Sequence, residues 1–230
     1  MKALTIGGTK GFGRYISECL EKEGYEIITV GRSKEGYKDY EHFVCDIGNL
    51  KGWKETLRKI KKDNRNIDLI ACIVGFARAK RFRELLEEDW SEHFIKNLFY
   101  VSLTFQELNP TKAITIGSQW SYKIGCDELV PYTIAKHALA TLTEDIAIRN
   151  KNLIINHYCV PTMNTPQYKE VKESFIRLGQ EKKITGFQKG VIANPEKVAN
   201  ELIDFALKTK KSGKMYVLDK NGNLPNHNSF

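Results

Sequence analysis

Tyr132 and Lys136 are the two residues of this chain whose types and spacing most directly suggest chemistry. They lie four residues apart in a run with helical apolar periodicity, residues 132–148, so both side chains should project from one helix face. A phenol has an unperturbed pKa of about 10, and a neighbouring ammonium favours its ionised form. The pair is therefore a candidate acid/base for moving a proton to or from an oxygen. Many helices carry a half-buried tyrosine and a solvated lysine at this spacing without any catalytic role. The rest of the chain must therefore distinguish a catalytic pair from an ordinary one.

A glycine-rich turn near the N-terminus is the second such feature. A short apolar strand at residues 2–6 leads into Gly7-Gly8-Thr9-Lys10-Gly11-Phe12-Gly13, and an amphipathic helix and a strand at residues 25–30 follow. This order is typical of a βαβ unit with parallel strands. Glycines permit the tight turn and let backbone N–H groups approach a diphosphate at the positive end of the helix. We therefore expect a dinucleotide diphosphate to bind here, although a glycine cluster can also be an ordinary loop.

The end of the second strand predicts which dinucleotide binds. An acidic residue at this position binds the ribose 2′-hydroxyl of NAD, whereas an arginine accommodates the 2′-phosphate of NADP. This chain has Arg32-Ser33 here and no acid before Glu35, and Lys10 in the glycine-rich turn adds a second cation. A guanidinium pairs well with phosphate oxygens. The pattern favours NADP(H), unless Arg32 is simply a solvated loop residue.

The rest of the chain continues the alternation of strands and helices. Strands are predicted at residues 42–47, 67–74, 112–116, 153–160 and 214–218, and helices at 50–64, 82–108 with a break near 89–90, 132–148 and 195–207. Residues 162–190 lack strong periodicity and are interpreted as a substrate-loop excursion, and residues 221–230 as a polar tail. The alternation predicts an α/β fold, a single domain over residues 1–230 with a doubly wound parallel sheet and helices on both faces. Ligands of such sheets lie beyond the carboxyl ends of the strands, where the selected polar positions fall: the glycine-rich turn, Arg32, Asp46, Gly75, Ser118 and Pro161.

The composition favours one globular domain over a nucleic-acid-binding or membrane protein. The chain has 230 residues, 41% of them hydrophobic, and a formal net charge of +8. The basic excess lies in residues 51–65 and 208–214, which read as solvated helix faces, so no nucleic-acid partner is expected. The five cysteines are scattered and no metal-ligand cluster is present, which predicts reduced thiols and no metal. Because no apolar run is long enough for a signal peptide or a membrane span, we expect a cytoplasmic protein.

Taken together, the sequence resembles the short-chain dehydrogenase/reductase family in its single-domain Rossmann form. The residues that carry the resemblance are the glycine-rich turn, Asp46-Ile47, Asn97, Ser118, Tyr132-Thr133-Ile134-Ala135-Lys136 and Pro161-Thr162-Met163-Asn164-Thr165, in the family's order. The resemblance implies an NADP(H)-dependent enzyme that interconverts a carbonyl and a secondary alcohol by hydride transfer. It also implies a homodimer or homotetramer.

The resemblance implies a role for each matching residue. Tyr132 would be the acid in carbonyl reduction or the base in alcohol oxidation, and Ser118 would hydrogen-bond the substrate oxygen. Lys136 would bind the nicotinamide ribose and lower the pKa of Tyr132, and Asn97 would hold a water linking Lys136 to solvent. Asp46 and Ile47 would meet the adenine, and residues 161–165 the nicotinamide. The predicted cofactor contacts are Gly7, Thr9, Lys10, Gly11, Phe12, Gly13, Arg32, Ser33, Asp46, Ile47, Gly75, Tyr132, Lys136, Pro161, Thr162, Met163 and Thr165.

Several positions depart from the family pattern or leave alternatives. The family's Asn-Asn-Ala-Gly after the fourth strand is Cys72-Ile73-Val74-Gly75 here, which removes amides that normally brace the sheet. Divergent members include non-catalytic sensors and scaffolds, so a dinucleotide-binding protein without turnover is the alternative function. Ser121 is a rival for the role of Ser118, and His137 is expected to be structural. The residues expected to line the substrate cleft are Trp120, Tyr122 and Met163.

Overall fold

The computed structural model describes residues 1–64, 66–183 and 192–224. Its strands are β1 (Lys2–Ile6), β2 (Glu26–Gly31), β3 (Glu41–Val44), β4 (Leu69–Cys72), β5 (Lys112–Ser118), β6 (Ile154–Val160) and β7 (Met215–Val217). Its helices are α1 (Gly11–Lys22), α2 (Leu50–Asp63), α3 (Glu87–Phe94), α4 (Tyr100–Glu107), α5 (Val130–Arg149), α6 (Pro166–Arg177) and α7 (Pro195–Lys208). A π-helical turn, Ile95–Phe99, joins α3 to α4.

The seven strands form one parallel sheet in the order β3-β2-β1-β4-β5-β6-β7. The order runs outward from β1 in both directions, so the chain reverses its winding between β1 and β4. These two strands are paired with Ile6 opposite Cys72, which brings their carboxyl ends together at the switch point. The predicted doubly wound α/β fold is confirmed, and its ligand crevice is expected at this edge.

Apolar layers cover both faces of the sheet. On one face, Ile16 and Leu20 of α1 pack with Leu202 and Ile203 of α7 in one buried cluster. On the other face, the buried cluster contains residues from α2, α4 and α5, including Trp53, whose indole N–H donates to the Tyr100 carbonyl at 3.0 Å. Strands covered on both faces have to be apolar throughout, which explains the nearly continuous hydrophobic runs in the sequence.

Two segments differ from the sequence-based prediction. The helical run predicted over residues 82–108 breaks before Glu87, because the Asp89 carboxylate accepts from the Leu86 N–H at 2.9 Å and so belongs to the first turn of α3. The excursion predicted over residues 162–190 contains the helix α6, and residues 184–190 lie outside the described part of the chain. Its start signals were present: the Thr165 hydroxyl accepts from the Tyr168 N–H at the N-cap, and Pro166 occupies the first turn.

Other features concern the surface and the thiols. Within the described residues, no helix is both long and apolar enough to cross a membrane. All five cysteines are free thiols. The part of the chain that the structure describes contains no group of three or more His, Cys, Asp or Glu side chains placed to hold a metal ion.

Candidate functional site

A continuous groove crosses the carboxyl edge of the sheet. It consists of two cavities that share the lining residues Gly7, Lys10, Arg32, Val74 and Gly75. One cavity extends past β2 and β3, and the other past β5 and β6. From β2 to β5 there are three strand spacings, about 14 Å in all, which suits an extended ligand lying across the switch point.

The glycine-rich turn forms the floor of the groove at β1. Gly7 has a φ of +89°, and a Cβ on Gly13 would lie 2.0 Å from the Gly7 carbonyl oxygen, so this turn requires glycine at both positions. No side chain caps α1 and its first turn carries no acidic residue, whereas Asn49 caps α2 and Asn194 caps α7. The N–H groups at the start of α1 are thus available to an anion, which fits a dinucleotide diphosphate.

The β2–β3 end of the groove has the features of an adenosine site. Among its described lining residues are the predicted positions Thr9, Lys10, Arg32, Ser33, Asp46, Ile47 and Gly75. Arg32 is exposed and Ile47 is buried, so this end of the groove offers a cation beside a buried apolar side chain. Phe76, Arg78 and Lys96 also line this cavity, although the sequence analysis did not select them.

His42 holds the loop that carries Arg32 and Ser33. One of its ring nitrogens, Nδ1, lies 2.8 Å from the Thr29 hydroxyl, and the other, Nε2, lies 2.9 Å from the Ser33 carbonyl oxygen. A carbonyl only accepts, so Nε2 carries the proton in this arrangement. Nothing in the sequence marks His42, because its partners lie on a neighbouring strand and in a loop and not at a local spacing.

Tyr132 and Lys136 lie at the β5–β6 end of the groove, one turn apart on α5, as predicted. Both line the cavity and both are buried, with Tyr132 7% and Lys136 2% exposed. The Lys136 ammonium donates to the Ile116 carbonyl at 2.9 Å and lies 5.8 Å from the centre of the Tyr132 ring. Burial lowers the pKa of Lys136 to about 8, a shift typical of functional sites.

The pKa of Tyr132 lies above its ordinary value, and the lowering by Lys136 that the resemblance implies stays a prediction. Burial raises the pKa of Tyr132 to about 12, and only the hydrogen bond with Ser118 acts in the opposite direction. The reason is that desolvation disfavours the phenolate more than these neighbours favour it. Tyr132 is therefore held as a neutral phenol, the form that can donate a proton.

The structure separates the two rival serines. Ser118, at the end of β5, lines the cavity, and its hydroxyl acts to lower the pKa of the Tyr132 phenol. Ser121 is buried and does not line it; its hydroxyl accepts from the Ser118 N–H at 3.1 Å and contacts His157 Nε2 at 3.0 Å. Ser118 therefore lines the groove, whereas Ser121 is buried behind it and bonds to the Ser118 backbone.

A buried chain of polar groups continues behind Ser121. His157 Nδ1 lies 2.9 Å from the Thr115 hydroxyl, which lies 2.9 Å from that of Thr143. Burial lowers the pKa of His157 to about 3, so the imidazole is neutral. A histidine within the apolar run of β6 was a signal in the sequence, because a buried polar side chain needs partners.

Substitution of the two serines should separate their roles. Ser118→Ala should lower the turnover of any carbonyl substrate about 100-fold or more, the usual effect of losing a hydrogen-bond donor to a reacting oxygen. Ser121→Ala should instead lower the free energy of unfolding by about 1–3 kcal/mol, because it leaves the Ser118 N–H and the Nε2 atom of His157 without their partner. Steady-state rates and urea unfolding of both variants measure this. Loss of turnover with unchanged stability in Ser121→Ala would transfer the role to Ser121.

Asn97 is fully buried in the π-helical turn. Its amide N–H groups donate to the Phe76 carbonyl at 2.8 Å and the His93 carbonyl at 2.9 Å, and its oxygen accepts from the Phe76 N–H at 3.1 Å. These bonds tie the loop after β4 to α3. A relay water at this side chain could use only the remaining lone pair of Oδ1, so the water-holding role stays a prediction.

The altered segment Cys72-Ile73-Val74-Gly75 is braced from elsewhere. The Tyr100 hydroxyl donates to the Val74 carbonyl at 3.0 Å, and the Ile73 N–H donates to the Ile6 carbonyl at 3.1 Å. Together with the Asn97 bonds to Phe76, these contacts fix the backbone that borders the groove. The backbone after β4 is therefore held in place without the amides that the family has at these positions.

The segment that follows β6 forms the outer wall of the reactive end. The predicted residues Pro161, Thr162, Met163 and Thr165 line this cavity, as do Gly11, Phe12 and Gly13 of the turn. Gln167 of α6 was not predicted; a Cβ on Gly75 would lie 3.2 Å from its amide nitrogen and 3.5 Å from the Lys136 ammonium. Trp120 lines the cavity but Tyr122 does not, contrary to expectation, and His137 contacts the Thr133 carbonyl of its own helix.

Replacing Lys136 should stabilise the free protein while damaging its site. The fall in the pKa of Lys136 from 10.5 to about 8 corresponds to a cost of about 3 kcal/mol for burying the ammonium at pH 7. The substitution removes this cost, but it leaves the Ile116 carbonyl without a donor, which should cost about 1–2 kcal/mol. Lys136→Met should therefore raise the free energy of unfolding at pH 7 by about 1–2 kcal/mol, or the Tm by about 2–8 °C. Urea and thermal unfolding measure this.

The gain in the free energy of unfolding of Lys136→Met should depend on pH. The folded state disfavours protonated Lys136, so the gain is complete below pH 8 and disappears as the pH rises towards 10.5. Lys51→Met, on the exposed face of α2, is the control and should leave stability unchanged. A Lys136→Met protein less stable than the wild type at pH 7 would show that the hydrogen bond of the ammonium outweighs its burial.

The doubly wound sheet and the groove at its switch point define a protein of the Rossmann type. The chain belongs to the short chain dehydrogenase family, whose pattern it matches over residues 1–174. An uncharacterized oxidoreductase of Bacillus subtilis (strain 168) is 25% identical over 171 residues, 66% of this chain and 65% of that protein, just under two thirds of its length. The human 3-oxoacyl-[acyl-carrier-protein] reductase is 21% identical over 189 residues, 75% of this chain and 79% of the reductase.

Solved structures show the same fold. The ligand-free aldohexose dehydrogenase of Thermoplasma acidophilum superposes with a TM-score of 0.80 at 22% identity, covering 98% of this chain and 96% of that one. A variant of the actinorhodin polyketide ketoreductase, solved with NADPH, superposes with a TM-score of 0.82 at 19% identity, covering 96% and 97%. At these identities the likeness defines the fold, and the chemistry has to be argued from the site.

Proposed function

We propose that this protein is an NADP(H)-dependent oxidoreductase that interconverts a carbonyl and a secondary alcohol. The observation that carries the proposal is the single groove with Ser118, Tyr132 and Lys136 at one end and Arg32 and Lys10 at the other. The separation of the two ends suits a dinucleotide with its diphosphate on the glycine-rich turn. The cofactor supplies the hydride chemistry, and the protein supplies position and electrostatics.

Reduction of a carbonyl would use the two hydroxyls at the reactive end. The substrate oxygen would accept hydrogen bonds from Ser118 and Tyr132, which line the same end of the groove. NADPH, when bound, would supply the hydride for the carbonyl carbon, and Tyr132 would give its proton to the substrate oxygen as the C=O π bond breaks. The products are the alcohol and NADP⁺, and the tyrosinate regains its proton from solvent.

Electrostatics at the site support the reductive direction for the protein as folded. The raised pKa of Tyr132 keeps its proton in place until the substrate oxygen becomes basic. The Lys136 ammonium, 5.8 Å from the Tyr132 ring, would stabilise the tyrosinate that results. Oxidation of an alcohol would require Tyr132 to be ionised first, which the positive nicotinamide of bound NADP⁺ would favour.

The alternative is a protein that binds the dinucleotide as a sensor or scaffold. Incubation with NADPH and a panel of aldehydes and ketones distinguishes the two functions, because only an oxidoreductase consumes NADPH in step with alcohol formation. Retained NADPH binding without turnover of any carbonyl would favour the alternative. The complete Ser118–Tyr132–Lys136 cluster supports the enzyme, since dinucleotide binding alone does not need all three.

We also propose a location, an oligomeric state and a set of ligands for this protein. A cytoplasmic location is supported by the five free thiols, since disulfides are uncommon in that compartment. A homodimer or homotetramer is supported by exposed apolar side chains on the π-helical turn and on α5, namely Phe99, Ile134 and Ile148. No nucleic-acid partner is proposed, and the ligands are the dinucleotide and a small carbonyl or alcohol.

A further inference from the structure

The reactive end of the groove has an apolar lining beyond Tyr132. Tyr132 belongs to a buried cluster of its own, separate from the two clusters that cover the sheet. Its other members are Ala77, Ala79, Cys126, Leu129 and Phe175, with Trp120, Val171 and Leu178 packed against it. Four of these also line the cavity, namely Ala77, Trp120, Leu129 and Val171. We call these four side chains the apolar wall.

Charge is nearly absent from this end. The described lining residues of the cavity include three charged side chains, Lys10, Arg32 and Lys136. Lys10 follows β1 and Arg32 follows β2, which lie two and three strands away from β5. The cofactor phosphates are proposed to lie beside these two residues. Lys136 is 2% exposed and already donates to the Ile116 carbonyl. Among the residues described, the apolar wall thus offers no cation to a substrate carboxylate or phosphate.

Two ion pairs link the loops around the apolar wall. Glu128, 3% exposed, pairs with Lys183, and Lys80 pairs with Asp89. None of these four lines the cavity. The backbone of the loop after β4 is also satisfied, since the Ala79 N–H donates to the Ser174 hydroxyl at 3.0 Å and the Lys80 N–H to the Glu128 carbonyl at 3.0 Å. These pairings bind the loops together and leave the apolar face of each turned to the cavity.

We propose that the substrate is an uncharged ketone on a compact apolar skeleton, placed against the apolar wall with its oxygen towards Ser118 and Tyr132. This inference rests on the proposed function and narrows it. The names of the relatives cover both sugars and acyl thioesters, so they do not choose the class. The cavity of about 340 Å³ must also hold the reactive end of the cofactor, which leaves room for a small ring or a short chain. A polyhydroxylated or anionic substrate would lose its hydration against Ala77, Leu129 and Val171, whose side chains offer neither charge nor hydrogen bonds.

Matched substrates test the class. Ethyl acetoacetate and acetoacetate carry the same keto group and differ in charge, and cyclohexanone and its pentahydroxy analogue share one ring. With NADPH, kcat/KM should be about 100-fold or more higher for the ester than for the acid, and for cyclohexanone than for its hydroxylated analogue. Val171→Arg adds a cation to the apolar wall and should narrow the ester-to-acid ratio about tenfold or more. Ile176→Arg adds the same charge on the exposed side of α6 and should not change it.

A second measurement keeps this inference separate from the proposed function. Saturation-transfer NMR on Tyr132→Phe detects contact of each ketone with the protein without turnover, with and without NADP⁺. Signals from the ester and cyclohexanone that exceed those of their polar partners support the substrate class even if no ketone is reduced. Equal or stronger signals, or higher kcat/KM, for acetoacetate or the pentahydroxy ring would overturn it. Failure to bind NADPH or to reduce any ketone would overturn the proposed function alone.

Discussion

Tyr132→Phe is expected to lower kcat for carbonyl reduction by about 10²–10⁴-fold, the range lost when a positioned proton donor is removed. The substitution deletes one oxygen from a ring that is 7% exposed and packed against the apolar wall, so the fold and the groove should persist. The affinity for NADPH should stay within about twofold, because binding relies on contacts with the turn and the phosphates. Steady-state kinetics and a fluorescence titration with NADPH measure the two quantities on one preparation.

Tyr216→Phe provides a matched control for this result. The Tyr216 hydroxyl on β7 is buried and has no hydrogen-bond partner among the described residues, so its removal costs no hydrogen bond. Turnover and stability of Tyr216→Phe should equal those of the wild type. Wild-type turnover in Tyr132→Phe would remove Tyr132 from the reaction. Turnover absent from both the wild type and Tyr132→Phe, with NADPH still bound, would favour the sensor or scaffold.

Arg32→Asp is expected to level or reverse a preference of the wild type for NADPH over NADH of about tenfold or more. The guanidinium is exposed at the end of β2 and lines the adenosine cavity, where the 2′-phosphate of NADPH would lie. An aspartate there would repel that phosphate and accept a hydrogen bond from the 2′-hydroxyl of NADH. Parallel fluorescence titrations with both dinucleotides measure the ratio of Kd values. The wild-type preference should weaken as salt is added, since exposed charges are screened.

Lys34→Asp controls for the general effect of reversing a charge near the site. Lys34 is exposed two residues further along the same loop and lines neither cavity. Its substitution should leave the ratio of Kd values within about twofold, because an exposed charge in water acts weakly. A wild-type preference for NADH would overturn the assignment of Arg32 and Lys10 to the 2′-phosphate and leave the oxidoreductase proposal standing. Binding of neither dinucleotide would point to a degenerate site.

The sequence alone determined what depends on local patterns. The order of strands and helices, and with it the doubly wound sheet, follows from apolar periodicity and from the glycine-rich turn after β1. The family was indicated by the resemblance of several motifs taken in their order. The shared face of Tyr132 and Lys136 follows from the pitch of a helix. Boundaries were less certain: α6 was missed although Thr165 and Pro166 mark its start, because the segment around them lacks strong periodicity.

The tertiary structure decided what depends on burial and on partners far away in the chain. Ser118 and Ser121 are only three positions apart in the sequence. Ser118 lines the groove, whereas Ser121 is buried and its hydroxyl contacts His157 on β6. The pKa of Tyr132 is raised by burial, which depends on segments distant in the chain and cannot be inferred from the spacing to Lys136. The bracing of the segment after β4 comes from Tyr100, 26 residues further along the chain. Local spacing carries no information on such contacts, because they are fixed only when elements remote in sequence pack together.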